Sequence, residues 1–96
     1  MITVDYVRGS DWHALTVSGH AGYADRGRDI VCAGVSALSC ALAGCIPNPL
    51  KKVMRDGYLS IECPRGAHSD STFQMALTGY RQISWEYPEW VQVVEH

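Results

Sequence analysis

Residues 18–36 read SGHAGYADRGRDIVCAGVS, and the fold turns on the change of character at Asp29. Before it lies a glycine-rich loop, with Gly19, Gly22 and Gly27 and no apolar run to pin it down, which predicts mobility. After it, Ile30, Val31, Val35, Leu38 and Leu42 recur near the 3.6-residue period of a helix. Asp29 suits the N-cap, where a carboxylate accepts from an open amide of the first turn. The predicted helix runs from Ile30 to Cys45, with Gly44 near its end and Pro47 and Pro49 stopping it. Val31, Val35, Leu38, Leu42 and Cys45 make its expected core stripe. Cys32 and Ser36 fall one turn apart on another face, a face of small residues that includes Ser39, Cys40 and Ala43.

Upstream, Ile2 to Arg8 alternates, with Ile2, Val4 and Tyr6 on one face. Trp12 to Ser18 is a second strand with Leu15 and Val17 inward, and the turn cluster Arg8-Gly9-Ser10-Asp11 joins the two. Downstream, Leu50–Arg55 and Tyr58–Cys63 read as short strands around Asp56-Gly57, a two-residue hairpin signal. A second helix is expected from Thr72 to Tyr87, with Ser71 and Gln74 as a capping box and Phe73, Leu77, Tyr80, Ser84 and Tyr87 in one stripe. Trp90 to Val94 is a final strand. The order ββαββαβ defines an α+β fold: one two-layer domain over residues 1–96, a mixed β-sheet with two helices packed on one face. Strand order is not readable at this level.

The chemistry concentrates where loop meets helix. With Asp29 as cap, Cys32 is the third helical residue, where the helix dipole favours negative charge. The thiolate is the nucleophilic form of cysteine. His20 lies across a loop able to fold back, and a base within reach of a thiol is the minimum for covalent thiol catalysis. A lone Cys is more often a small buried residue, and a His in a glycine turn is usually only solvated. His13, His68 and His96 have no evident partner and read as surface residues. Cys40, Cys45 and Cys63 lack any paired C-x₂-C spacing, so buried thiols and no metal site are expected.

At these residues the chain resembles a known family. GHAGYADRGRDIVCAGVSAL, residues 19–38, is similar to the signature of the ribosomal-processing cysteine proteases of Gram-positive bacteria. That pattern is a Gly-His-Ala turn, a short Gly-containing loop, Asp-Ile-Val-Cys-Ala, and a Ser four residues after the Cys. Asp56-Gly57-Tyr58-Leu59 and Glu86-Tyr87-Pro88-Glu89 fit as well, so the resemblance spans nearly the whole chain. It implies a Cys/His peptidase that removes an N-terminal extension from large-subunit ribosomal protein number twenty-seven. Cys32 would be the nucleophile and His20 the base, with Asp29 and Ser36 supporting. Gly19, Ala21, Gly22, Tyr23 and Gly27 would form the substrate loop. Asp29 is either a cap or the residue that orients His20. Ser36 either bonds back along the helix or lines the site. The amides of Val31 or Cys32 are candidates for holding the oxyanion.

Composition bounds the alternatives. In 96 residues, 47% are hydrophobic and 19% charged, which reads as globular. The net charge of −2 argues against a phosphate-backbone binder, so no direct nucleic-acid contact is expected. Arg26, Arg28, Lys51, Lys52 and Arg55 carry most of the positive charge and would repel a basic substrate. The N-terminus shows no signal-peptide pattern, which points to a reducing cytoplasm and free thiols. No Asp, Glu, Lys or Arg occurs from Ile30 to Leu50, but glycine, serine, asparagine and proline interrupt the run, against the ~20 apolar residues of a membrane helix. We expect no membrane span, no cofactor, and a homodimer burying part of Leu38 to Ile46. Two other readings exist: a phage-associated relative that processes a capsid or scaffold protein, and a non-enzymatic ribosome-associated peptide-binding module. The segment from Cys45 to Pro49 and the Arg65–His68 loop differ from the family pattern and bear on the substrate.

Overall fold

Alternating side chains in the strands put one row of apolar groups on a single sheet face, and both helices cover that face. The structure is a computed structural model that describes residues 1–25 and 27–96. Its elements are β1 (Ile2–Arg8), β2 (Trp12–Ser18), α1 (Ile30–Cys45), β3 (Lys51–Arg55), β4 (Tyr58–Pro64), α2 (Ala67–Glu86) and β5 (Val91–Glu95). The expected ββαββαβ order is therefore the observed one. The sheet runs β3-β4-β2-β1-β5, antiparallel throughout except for β1 with β5. Register explains the core: Val4 sits opposite Val17, and Val17 opposite Leu59, while Tyr6, Leu15 and Ile61 form the next row. All six are buried, with Phe73, Leu77 and Tyr80 of α2 and Val31, Val35 and Leu42 of α1 above them. β2 and β3 run in the same direction with β4 between them, so α1 is a crossover that has to span the sheet's inner face.

Several local expectations change. α2 begins at Ala67, five residues before the expected Thr72, and the Ser71–Gln74 capping box does not form. Arg65 grips Asp70 through two nitrogens, Nε at 2.9 Å and Nη2 at 2.8 Å, and a carboxylate in a first turn is favoured by the helix dipole. Ser71 and Thr72 donate to the carbonyl of His68 instead of capping. Half of the expected Arg65–His68 loop, Ala67 and His68, is thus a helix start, and His68 Nε2 is 2.7 Å from the carbonyl oxygen of Cys45.

His13 is fully buried, not a surface residue. It shares the inward side of β2 with Leu15 and Val17, bonds the Tyr6 hydroxyl at 2.9 Å, and packs on Phe73. His96 is exposed as expected but has a partner, Asp5, at 3.0 Å. Of the thiols expected to be buried, only Cys63 is; Cys40 and Cys45 are exposed. The α1 core stripe holds Ser39 and Ala43 where Cys45 was expected, and Leu38 is only partly buried. Ser39 enters the core because its hydroxyl donates to Val35 O and bonds the Tyr80 hydroxyl, 2.8 and 2.9 Å away. Among the described residues, no helix is long and apolar enough to cross a membrane.

Candidate active site

The site forms where β2 ends, α1 begins and the β3–β4 hairpin turns back. Ser18 pairs with Tyr58, and the Gly19 amide extends that ladder by donating to Gly57 O at 2.9 Å. On its other side the Met1 amino group donates to His20 O at 2.8 Å. His20 is therefore held at the end of a rigid sheet although its side chain is exposed. Gly19 takes φ +95°, and a Cβ there would lie 2.4 Å from Met1 O, so only glycine fits between β1 and the loop.

Asp29 caps α1 as expected. Its Oδ1 accepts from the Cys32 amide at 2.8 Å. Its Oδ2 reaches back into the loop, accepting from Tyr23 N at 3.1 Å and from Ala24 N at 3.5 Å. Desolvation alone would raise the pKa of this carboxyl; the amides of Cys32, Ala24, Tyr23 and Val31 outweigh it and hold the group below its ordinary value. Asp29 makes no hydrogen bond to His20 among the described residues. The cap occupies the Cys32 amide, one of the two amides expected as candidates for the oxyanion, Val31 being the other.

The loop has anchors that a count of apolar residues misses. Ala21 is buried, and the Tyr23 ring stands edge-on to Tyr87 and Trp90, with centroids 5.4 and 5.1 Å away. Gly22 and Gly27 take positive φ with open space around them. Arg26 lies outside the described residues.

His20 and Cys32 line one cavity of about 590 Å³ together with Asp29, Ser36, Gly22 and Asp56. Both also line a narrower crevice of about 190 Å³ between α1 and the hairpin, reached by Ser36, Cys40, Met54 and Leu59. Ser36 is exposed into this space. Cys40, expected on the small-residue face, borders the crevice. Asp56 and Gly57, a hairpin turn that also belongs to the family resemblance, and Met54, expected only as strand, border the same space. The register of Ser18 with Tyr58 carries them to the site, and no pattern local to residues 51–58 signals it.

A half-buried thiol at a capped helix start, with an imidazole lining the same groove, is an arrangement that cysteine peptidase chemistry can use. The family model described as cysteine protease Prp matches residues 1–92, and the chain belongs to that family. Among solved structures it is similar to the S. aureus essential ribosomal processing protease Prp with a covalently linked product peptide (26% identity, TM-score 0.83, all of both chains). The same S. aureus protease with a substrate peptide matches at TM-score 0.74 and 26% identity, again over all of both chains. A Streptococcus mutans protein matches at 28% identity and TM-score 0.75, covering 99% of this chain and 93% of that one. No curated protein sequence matches the chain.

Proposed function

We propose that this cysteine peptidase removes an N-terminal extension from large-subunit ribosomal protein number twenty-seven, with Cys32 as nucleophile and His20 as base. The observation that carries the reading is that these two side chains border the same groove from different rigid elements, a helix start and a sheet end. The S. aureus relatives, solved with product and substrate peptides, support a peptide occupant.

In this mechanism the Cys32 sulfur attacks the scissile carbonyl carbon and the peptide C–N bond breaks. His20 takes the thiol proton and returns it to the leaving amine. Water then attacks the thioester and releases the acid and the free thiol. Asp29 keeps the helix start closed so that the sulfur is held at a fixed place. Ser36, one turn along, borders the approach of the chain. The uncharged run from Ile30 to Leu50 leaves Ala41, Gly44 and Cys45 exposed on α1, which supports a homodimer that buries part of Leu38 to Ile46. We assign the protein to the cytoplasm.

The test is to incubate the protein with the extended ribosomal protein of its own host and sequence the new N-terminus. Cleavage at one bond by wild type, and none by a folded Cys32→Ala variant, is the expected result. Cleavage by that variant refutes the nucleophile assignment, and an intact precursor with active wild-type enzyme on phage capsid protein refutes the substrate.

A further inference from the structure

The imidazole of His20 rests against the backbone of the hairpin turn. A Cβ built on Gly57 would stand 2.6 Å from His20 Nε2, 3.1 Å from Cε1 and 3.4 Å from Cδ2. All three nearest atoms belong to that one ring. The glycine is therefore in contact with the ring carrying the base, and its missing side chain is the space the ring uses. The turn is not free to retreat, because Gly57 O accepts from Gly19 N and both flanking residues are paired, Arg55 with Tyr58.

We propose that Gly57 is a positioning residue for the reaction: it sets where the His20 imidazole sits relative to Cys32. This inference rests on the assignment of His20 as base. The contact decides which group yields when a side chain is added. The backbone of the hairpin is held by the ladder, while the ring is the exposed end of a side chain with two rotatable bonds. Ordinary contact begins at 3.4 Å, so the ring has to move by roughly an ångström, a misplacement that costs on the order of 10²-fold in rate. The fold is disturbed little, because a rotating side chain is cheaper to move than a paired strand.

Gly57 also takes φ +70°, so alanine adds backbone strain as well as the contact. Gly57→Asn separates the two, since Asn tolerates the left-handed region but still carries a Cβ. We expect both variants to fold and to lose kcat by about 10²-fold with KM within about twofold of wild type. The ring signals of His20, assigned by their absence in His20→Ala, should shift in carbon–proton NMR while those of His68 and His96 stay in place. Wild-type turnover in Gly57→Asn with loss in Gly57→Ala would overturn the proposal, because strain and not contact would then be the cause. Unmoved His20 signals in either folded variant would overturn it as well. Moved signals with full turnover would overturn the role of His20 itself, and the proposal with it.

Discussion

Asp29 is the residue whose replacement separates holding the helix from holding the loop. One carboxylate oxygen serves the Cys32 amide and the other serves Tyr23 and Ala24. Asp29→Ala removes all three bonds. Loss of an N-cap costs about 0.5–2 kcal/mol, and the loop bonds, one of them at the limiting distance of 3.5 Å, bring the expected total to about 2 kcal/mol. For a domain of this size that lowers Tm by about 8–16 °C. Asp29→Asn behaves differently. Asn is as good a cap as Asp, so its oxygen keeps the Cys32 bond, but the amide nitrogen in place of the second oxygen cannot accept from Tyr23. We expect Asn to cost less than about 1 kcal/mol, with faster hydrogen exchange at Tyr23 and Ala24 but not within α1. Because the cap holds Asp29 in its ionised form, its contribution is full above the ordinary carboxyl pKa, near 3.8, and is lost as pH falls through the lower folded value. The wild-type advantage over Asp29→Ala should therefore shrink in strong acid. The measurements are thermal unfolding at several pH values and amide exchange by NMR. Equal destabilisation by Ala and Asn, or loop amides that exchange no faster in either, would refute the division of labour between the two oxygens.

His13 gives a second acid dependence, of different origin. Desolvation lowers its pKa from the ordinary 6.5 and outweighs Asp70, which raises it; Arg65 and Arg8 lower it further, and Tyr6 bonds its Nδ1. Its Nε2 is buried with no hydrogen-bond partner among the described residues. A proton therefore binds the unfolded chain more readily: stability is full above pH 6.5 and falls as pH drops toward the folded value. The decline should be shallower in His13→Phe, and identical slopes between pH 7 and about 5 would contradict this. At the helix interface, burial pushes the Tyr80 hydroxyl up to about 12 against the opposing bond from Ser39. Tyr80→Phe leaves Ser39 bonded to Val35 O and should cost about 1 kcal/mol in urea unfolding, whereas Ser39→Ala strands the Tyr80 hydroxyl and should cost about 1–3 kcal/mol; the reverse order would be inconsistent with the geometry. Sedimentation at high concentration should show a dimer, and a monomer there would remove the assembly proposed for α1.

Much of this fold was legible because two short-range signals were clean. β1, β2 and α1 have the bounds their periodicities predict, and Asp29 caps where cap chemistry places it. His13 was legible too and was misread: alternation through Leu15 and Val17 puts it inside, but its polarity suggested surface. The partners that make its burial tolerable, Tyr6 and Phe73, lie on other elements. The start of α2 was missed for a similar reason, since Asp70 signals a first turn only once Arg65 is seen to grip it. At the site, His20 and Cys32 stand within one motif, so the sequence could show both. Tyr23 on Tyr87 and Trp90, and Gly57 under His20, depend on which strands pair. Pairing across tens of residues leaves no local mark.

The proposed nucleophile and base and the loop between them are held by forces of different size, and this bears on how a peptide would enter. His20 follows directly from a strand paired on both sides, and Cys32 belongs to the first turn of a helix packed on the core. Releasing either means opening the sheet or unwinding α1. Among the described residues, the loop joining them is anchored to the rest of the fold by the edge-on Tyr23 ring, the small buried Ala21 and the bonds to Asp29. An aromatic pair contributes about 0.5–1.5 kcal/mol beyond its burial, and each bond to Asp29 about 1 kcal/mol. Their sum, a few kcal/mol, is within what a bound peptide of several residues supplies. On the proposed mechanism, we expect a substrate to shift the loop at Gly22 while the thiol and imidazole keep their places. The family motif then combines two requirements in one stretch: glycines where the chain has to yield, and a capped helix where it must not.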